Sequence, residues 1–469
     1  MSISLIGMAL TAIQWLLIAV TVLLAICFVY DKQVRPKHKF AAVRRPKQLA
    51  KLKVMNEMVP TTTLHIPADP SQGDPTTSPV LFLIPGNPGV AEFYIDMMQT
   101  LHELSQRRLH IYCVGHAGQG LIINDSTLGT SDDLPPFDFD RPVLDKNITA
   151  TYSNPFKPGQ LYNLRKQIMH KLEALNQIRK LHPRASGFLI AGHSVGAHIS
   201  LEVLRTLENL ETFVRERRDA PRGSKSRQTL NARWDAMVSK HYVESEEQYR
   251  KAVQEGKVRQ GFASGQNNTL FESEYMEQWS DLALSVASSD AQSQSIPWLK
   301  QVHLLCPTVH RIAYTPNGYF FTPVFQFPFV VDAVLGLLRL LPGFVKRTIL
   351  SFSVSPTRQA PAYAAARLML HSASLHNITH MAKTEMREIG DVDQSLIKRN
   401  AHRLRFYFSG KDGWVPTEFI TVCTTYPGCE KTIPHAFNPK DDVEHAFVMC
   451  DRDMRMVAQY VWEQFASSQ

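Results

Sequence analysis

The chain has few cysteines, and they are spaced like neither a disulfide framework nor a metal site. Six cysteines occur in 469 residues, no two form a CxxC pair, and histidine is not clustered around them. Zinc sites and disulfide scaffolds usually need closer spacing. We therefore expect buried free thiols in a reducing, cytosol-facing compartment, with neither a metal nor another cofactor.

Basic residues are not spread along the chain as they are in a nucleic-acid-binding protein. Nine basic residues and one acidic residue lie between Asp31 and Lys53, and they account for the whole net charge of +8. The remaining sequence is neutral in sum and contains no RNA- or DNA-binding motif. We therefore expect no nucleic-acid partner. The basic segment either binds anionic lipid headgroups or simply flanks the apolar run that precedes it.

Charged side chains are absent from the first thirty residues. From Leu5 to Tyr30 the sequence is dominated by Leu, Ile, Val and Ala. At ~1.5 Å per residue, a helix of this length exceeds the ~30 Å hydrocarbon core of a bilayer. A cleaved signal peptide would begin with basic residues and end at a small-residue cleavage site. Because the basic residues follow the apolar run here, we favour an uncleaved membrane helix with the rest of the chain in the cytosol.

Strand and helix patterns alternate along the rest of the sequence. Val80–Ile84 and Leu109–Val114 are apolar runs that predict buried strands, and Glu92–Arg107 between them has helical spacing of apolar residues. Leu161–Leu181 predicts an amphipathic helix, which precedes a third strand at Gly187–Ala191. Strands joined by helices indicate a parallel sheet.

Composition divides the chain into six segments. The segment after residue 210 is rich in Arg, Glu, Gln and Ser, which predicts a surface insertion. We expect a membrane anchor over 1–30, a basic juxtamembrane linker over 31–75, the first part of a catalytic core over 76–210, a polar and partly disordered insertion over 211–300, a helical cap over 301–400 and the last part of the core over 401–469.

A G-x-S-x-G motif centred on Ser194 lies between a predicted strand and a predicted helix. The motif alone is a weak signal, but this context is that of a nucleophile elbow, in which a tight turn exposes the serine hydroxyl above the sheet. The flanking glycines, Gly192 and Gly196, allow neighbouring elements to approach closely. The sequence therefore predicts Ser194 as a catalytic nucleophile.

A serine hydroxyl is a poor nucleophile without a base, and the base needs an orienting carboxylate. Asp412 lies in a polar loop after a late strand, where the acid belongs in this chain order. Two His-Ala-Phe triplets offer a base, at His435 and His445. His435 is followed by a loop, whereas His445 directly precedes the last predicted helix, so we favour His445 and keep His435 as the alternative.

The developing oxyanion needs two fixed donors, which are usually backbone N–H groups. The residue after the nucleophile, Val195, supplies one. The loop Pro85-Gly86-Asn87-Pro88-Gly89 supplies the other, and Asn87 is the best donor because Pro88 has no N–H. His116 lies in a similar loop, and we expect a structural role for it.

Together these motifs resemble the lipid droplet-associated hydrolase family, over roughly residues 80–210 and 300–465. The resemblance implies an α/β-hydrolase fold, a triad of Ser194, Asp412 and His445, an ester-lipid substrate, and residence on lipid droplets and the endoplasmic reticulum. It rests on Ile84-Pro85-Gly86-Asn87-Pro88-Gly89, Gly115-His116-Ala117-Gly118, Gly192-His193-Ser194-Val195-Gly196, Pro307-Thr308, Thr315-Pro316-Asn317-Gly318, Asp412-Gly413-Trp414 and His445-Ala446-Phe447.

These observations predict a serine hydrolase that cleaves carboxylic esters of lipids, such as a sterol ester or an acylglycerol. Its expected partners are that substrate and a membrane or lipid-droplet monolayer. Its expected fold is a mostly parallel central sheet with a helical cap or insertion and an N-terminal membrane helix. Two alternatives remain open: a weakly active or non-catalytic droplet-organising protein, and an acyltransferase or thioesterase with the same triad.

One apolar segment of the expected cap carries a narrow polar stripe. In Val330–Leu341, Asp332, Gly336 and Arg339 lie within about 60° of one another on a helical wheel. The segment is either a core helix of the cap or a helix that dips into a lipid monolayer beside the active site, and we favour the second interpretation.

Overall fold

The computed structural model describes only part of the chain. The expected anchor over 1–30, nearly all of Val330–Leu341 and most of the polar insertion lie outside the described residues, so those hypotheses stay predictions. None of the helices in the described part is long and apolar enough to cross a bilayer. The described residues are 47–48, 51–54, 57–119, 161–219, 224–226, 228–229, 296–326, 372–425, 433–438 and 443–467, with the single residues 333, 341 and 345.

A mostly parallel sheet of eight strands forms the centre of the molecule, in the order β1-β4-β6-β5-β7-β8-β9-β10. Strands β6, β5, β7, β8, β9 and β10 run parallel to one another. At one edge, β4 runs antiparallel to both β6 and β1. This is the expected α/β-hydrolase fold. The strands are β1 (Lys47–Gln48), β2 (Lys51–Val54), β3 (Glu57–Pro60), β4 (Thr63–Ile66), β5 (Val80–Ile84), β6 (His110–Val114), β7 (Phe188–His193), β8 (Leu299–Leu305), β9 (Leu404–Tyr407) and β10 (His435–Ala436), of which β2 and β3 form a separate pair.

Helices cover both faces of this sheet, as parallel strands require. Helices α2 and α3 pack together on one face, and α1 and α8 pack together on the other. The described helices are α1 (Ile95–Leu104), α2 (Leu164–Leu181), α3 (Val195–Asp219), α4 (Pro316–Gln326), α5 (Ser372–Glu388), α6 (Gln394–Asn400), α7 (Glu418–Thr424) and α8 (Asp451–Ala466).

The continuous apolar run of β5 reflects burial on both faces. All five of its residues are buried. Phe82 packs into the core on the α2 and α3 side, whereas Leu81 and Leu83 pack into the core on the α1 and α8 side. Successive side chains of a strand point to opposite faces, so a strand covered twice is apolar throughout.

Four short strands, β1 to β4, lie within the segment 31–75 that the sequence predicts as a basic juxtamembrane linker. Within it, β4 pairs antiparallel with β6 over Thr63–Ile66. Leu64 is fully buried, and the His65 ring stacks on Tyr112 at 4.0 Å between centroids. Its Thr-Leu-His-Ile sequence does alternate polar and apolar residues, but over only four residues, which is a weak signal for a strand.

Two helix boundaries also differ from the sequence reading. Helix α3 continues to Asp219, past the expected end of the core at residue 210. The last predicted helix begins as a 3-10 turn at Phe447–Met449, and α8 starts at Asp451. Helix ends are set by local capping and packing, which a periodic pattern does not locate. The other segment boundaries stay predictions.

Several histidines in the described core are held neutral by their surroundings. His303 on β8 is fully buried, and burial lowers the pKa of its imidazole to about 3. Burial and the neighbouring His110 lower the pKa of His182 to about 4. A histidine whose pKa is lower in the folded than in the unfolded state stabilises the fold fully above the unfolded value of 6.5. That stability is lost as the pH falls from 6.5 towards the folded pKa.

Replacing His303 by Leu should therefore make the protein less sensitive to acid. Between pH 7.5 and pH 5, wild type should lose about 2 kcal/mol more unfolding free energy than His303→Leu. Leu is tolerated because neither ring nitrogen of His303 has a hydrogen-bond partner among the described residues. Urea unfolding followed by tryptophan fluorescence at the two pH values measures the difference, and equal losses in both proteins would contradict it.

Candidate active site

Ser194 sits at the tip of a turn between β7 and α3 in a left-handed backbone conformation, with φ +55°. Its N–H donates to the carbonyl oxygen of Leu305 at 2.9 Å. A Cβ on Gly196 would lie 2.3 Å from the carbonyl oxygen of Ile84, and one on Gly192 would lie 2.2 Å from that of Gly196. Contacts this short exclude any side chain at either glycine, so the turn requires both of them.

The structure brings the three predicted catalytic side chains together. The hydroxyl of Ser194 lies 2.8 Å from Nε2 of His445. Nδ1 of His445 lies 2.6 Å from a carboxylate oxygen of Asp412. A parallel bridge between Lys411 and Glu444 holds the two loops side by side, which is why an acid and a base separated by 33 positions meet.

The hydrogen bonds of Asp412 determine the tautomer of His445. Oδ1 of Asp412 accepts the backbone N–H groups of Trp414 and Val415, at 2.8 and 3.0 Å. Oδ2 is left to accept the Nδ1–H of His445, whose Nε2 lone pair therefore faces the hydroxyl of Ser194. The Asp412 side chain is fully buried and that of His445 is 16% exposed. This arrangement can remove a proton from the serine hydroxyl.

The alternative base, His435, lies elsewhere. It is exposed on β10, and its Nδ1–H donates to the carbonyl oxygen of Ile433 at 2.9 Å. Its ring contacts Phe408 edge to face at 6.2 Å between centroids. Of the two histidines, only His445 is hydrogen-bonded to Ser194 in the described part of the chain.

The loop after β5 offers one free backbone donor. The Gly86 N–H donates to the Tyr94 hydroxyl at 2.8 Å, and the Gly89 N–H donates to Oε1 of Gln119 at 2.6 Å. The two prolines have no N–H, and the Asn87 N–H has no acceptor among the described residues. On the other side of the site, Val195 is the first residue of α3, so its N–H has no intrahelical acceptor. These are the two predicted oxyanion donors.

The Asn87 side chain fastens this loop to α5. Its Nδ2 amide donates to the carbonyl oxygen of Ile378 at 3.0 Å and to Oε1 of Glu385 at 2.8 Å. Glu385 is buried, and burial raises the pKa of its carboxyl to about 7, although the Asn87 hydrogen bond acts in the opposite direction. Asn87 thus joins the loop to a helix of the cap.

Sequence reasoning missed Gln119 and Glu385, because nothing in the spacing of residues so far apart indicates contact. His116 was predicted as structural. It is fully buried, its N–H donates to the carbonyl oxygen of Gly89 at 2.7 Å, and burial lowers the pKa of its imidazole well below the usual range. Cys306 lies beside Asp412 and His445, and burial raises the pKa of its thiol. A neutral thiol is a weak nucleophile and a poor metal ligand.

Comparison with known proteins assigns the chain to one family. A family model described as "Lipid-droplet associated hydrolase" matches residues 77–230 and 280–468. A protein of Homo sapiens called "Lipid droplet-associated hydrolase" is 24% identical over 381 residues, which are 79% of this chain and 83% of that protein. A protein of the same name from Drosophila melanogaster is 21% identical over 381 residues, 80% of this chain and 85% of that protein. Among solved structures, an esterase from Exiguobacterium antarcticum is similar with a TM-score of 0.40 and 11% identity, covering 88% of this chain and 98% of the esterase.

Substitution of Gly196 by Ala should disrupt the turn, because the new Cβ would meet the end of β5. We expect a loss of several kcal/mol of unfolding free energy, or no folded protein. Gly390→Ala is the matched control, since a Cβ there meets nothing within 4 Å. Thermal unfolding of both variants measures the effect. Equal stability of the two variants would contradict the close packing of the turn.

Replacing Glu385 by Gln should change the pH dependence of stability, because a buried acid with a raised pKa weakens the fold above its unfolded pKa. The carboxyl has a folded pKa of about 7 against an unfolded value of 4.5. Wild type should therefore lose stability between pH 5 and pH 8 relative to Glu385→Gln, by roughly 2 to 3 kcal/mol. Denaturant unfolding at the two pH values tests this, with Glu103→Gln on the exposed surface as the control. A constant difference between wild type and Glu385→Gln across this range would refute it.

Proposed function

The chain belongs to the lipid-droplet associated hydrolase family, and we propose that it cleaves carboxylic esters of lipids through an acyl-enzyme on Ser194. The observation that carries this proposal is the continuous hydrogen-bonded path from Ser194 through His445 to Asp412. The turn of a nucleophile elbow holds the serine at one end, and a buried carboxylate lies at the other.

In the first half of the reaction, Oγ of Ser194 attacks the ester carbonyl carbon while Nε2 of His445 takes the hydroxyl proton. The negative charge on the former carbonyl oxygen is stabilised by the N–H groups of Asn87 and Val195. When the intermediate collapses, the ester C–O bond breaks. The departing alkoxide takes the proton from His445 and leaves as an alcohol, and the acyl group stays on Ser194.

In the second half, a water molecule replaces the alcohol. His445 removes one proton from the water as its oxygen attacks the acyl carbon, and the same two N–H groups stabilise the second oxyanion. Collapse breaks the bond to Oγ, which regains the proton from His445, and releases a carboxylic acid. Asp412 holds the imidazole in the tautomer that both halves need.

An aromatic surface beside the triad supports an apolar substrate. The Trp414 ring lies 6.4 Å from that of His445 and stacks on Phe321 of α4 at 5.7 Å. Next to it on α4, Tyr319 and Phe320 are 75% and 70% exposed. Large exposed aromatic side chains grouped near a site are typical of surfaces that contact apolar ligands or lipid. This supports a lipid acyl or sterol group as part of the substrate.

We further propose that the protein works at the surface of lipid droplets or of the endoplasmic reticulum, with its catalytic domain in the cytosol. The relatives' shared name supports the droplet surface. The uncharged run at residues 1–30 and the basic segment after it support attachment to a membrane and the cytosolic orientation.

Two other functions use the same fold. An acyltransferase or a thioesterase would proceed through the same acyl-enzyme, with another acceptor or leaving group. A droplet-organising protein with little turnover would keep the fold without needing the triad geometry. The hydrogen-bonded path, and a backbone N–H of Asn87 that has no acceptor in the described part of the chain, favour an active esterase over the organiser.

Ser194→Ala should abolish turnover without loss of folding, because it removes only the hydroxyl that faces His445 and leaves the turn and its glycines unchanged. We expect at least a ~10³-fold fall in p-nitrophenyl butyrate hydrolysis and loss of labelling by a fluorophosphonate probe. Emulsions of triolein and cholesteryl oleate, analysed by mass spectrometry for released fatty acid, distinguish the lipid classes. His445→Ala should have the same effect, and His435→Ala serves as the control. Folded wild-type protein that neither labels nor hydrolyses any ester would support the organiser instead.

A further inference from the structure

A second path of hydrogen bonds runs behind the triad and joins the oxyanion loop to the base. It begins at the Gly86 N–H, which lies 2.8 Å from the Tyr94 hydroxyl. The hydroxyl lies 2.6 Å from Nδ1 of His193, and Nε2 of His193 lies 2.8 Å from the main-chain carbonyl oxygen of His445. Tyr94 and His193 are 3% and 5% exposed, so water does not compete for these bonds.

The chemistry of the two ends gives this path a single direction. A carbonyl oxygen can only accept a hydrogen bond. Nε2 of His193 therefore carries the proton, and its N–H donates to the main-chain carbonyl oxygen of His445. Burial, with a contribution from His445, lowers the pKa of His193 to about 3, so its imidazole is neutral and Nδ1 has a free lone pair. The Tyr94 hydroxyl therefore donates to Nδ1. Burial also raises the pKa of Tyr94, which keeps this donor protonated.

The opposite direction would place two acceptors against each other. With the proton on Nδ1, the lone pair of Nε2 would face the lone pairs of the His445 carbonyl oxygen. The hydroxyl oxygen of Tyr94 accepts from Gly86 in either case. A neutral imidazole suits this position because it carries one donor and one acceptor on opposite sides of a rigid ring.

We propose that Tyr94 and His193 are positioning residues that hold the main chain of His445 and of Gly86 in catalytic register. The proposal rests on the function proposed above. Gly86 directly precedes Asn87, whose N–H is the predicted oxyanion donor, and His445 carries the predicted base. The two residues therefore connect the loop that carries the oxyanion donor with the main chain of the base. This connection uses none of the side-chain hydrogen bonds of the triad.

Packing around His193 supports a role in alignment. A Cβ on Gly86 would lie 3.1 Å from Cβ of Ser194 and 3.2 Å from Nδ1 of His193, so loop, histidine and nucleophile are in close contact. The His193 ring also packs against Phe447 at 4.5 Å and His445 at 5.5 Å between centroids. A small shift of His193 would therefore move either the donor or the base.

Tyr94→Phe tests the proposal because it removes one oxygen and keeps the ring. Its matched control is Tyr112→Phe, which also removes a hydroxyl bonded to a histidine, His182 at 2.7 Å, but on β6, which β5 separates from the strand that leads to Ser194. Full-length proteins are assayed with p-nitrophenyl butyrate, and their thermal unfolding is measured in parallel. We expect Tyr94→Phe to lower kcat about 10- to 100-fold at nearly unchanged KM. Tyr112→Phe should keep kcat, even if it loses as much thermal stability.

Equal kcat values for Tyr94→Phe and active wild type would overturn the positioning role and leave the proposed function intact. A fall in kcat that Tyr112→Phe shares in proportion to its loss of stability would also overturn it. If wild type turns over no ester and Ser194 takes no fluorophosphonate, the proposed function fails, and the positioning role fails with it.

The direction of the hydrogen bonds is tested separately and without turnover. In protein labelled with ¹⁵N-histidine, His193 is assigned by comparison with His193→Gln. It should be the Nε2–H tautomer and should not titrate between pH 5.5 and pH 8. An Nδ1–H tautomer, or titration in this range, would overturn the path itself, whatever the activity and even if Tyr94→Phe does not fold.

Discussion

Close contact between the turn after β7 and the end of β5 determines the geometry of the site. The turn can approach only because Gly192 and Gly196 carry no side chain, and a Cβ on Gly196 would lie 2.3 Å from the Ile84 carbonyl oxygen. The same contact places the start of α3 beside the loop that contains Asn87. Ser194 and the backbone N–H groups of Asn87 and Val195 can therefore share one edge of the sheet, at the carboxyl ends of neighbouring parallel strands. Their relative positions are determined by close contact between main-chain atoms of the turn and of β5.

Behind this edge, a layer of buried polar groups holds the loops in place. Gln167 of α2 bonds both the N–H and the carbonyl oxygen of Ala117, each at 2.9 Å. Lys171 donates to the Gly115 carbonyl oxygen, and burial lowers the pKa of its amine. Gln119, at the end of the same loop, accepts the Gly89 N–H. Buried polar side chains are stabilising only when they are hydrogen-bonded, and here their bonds go to the main chain of the loops that form the site.

Surroundings alone give the histidines of this site different properties. His193 is buried, and burial lowers the pKa of its imidazole to about 3, which suits a fixed donor and acceptor. His445 keeps partial access to solvent and a carboxylate partner, which suits the general base of the proposed reaction. His435 is followed by the same two residues as His445, Ala and Phe, yet it is exposed on an edge strand without a carboxylate partner among the described residues.

The sequence by itself determined the class of fold and most of the elements around the site. Apolar runs such as Val80–Ile84 are strong signals because burial on both faces leaves no polar positions. The glycines around Ser194 are a strong signal because no residue with a side chain fits in so tight a turn. It did not determine β4, whose polar–apolar alternation covers only four residues. It favoured His445 over His435 only by its place before the last helix, because the two His-Ala-Phe triplets are identical. The hydrogen bonds of His445 to Ser194 and Asp412 come from tertiary packing. Contacts such as Asn87 with Glu385 and His193 with the His445 carbonyl join residues hundreds of positions apart. Only tertiary packing decides such contacts, since the hydrogen-bond partner of a buried group depends on which distant strand or helix covers it.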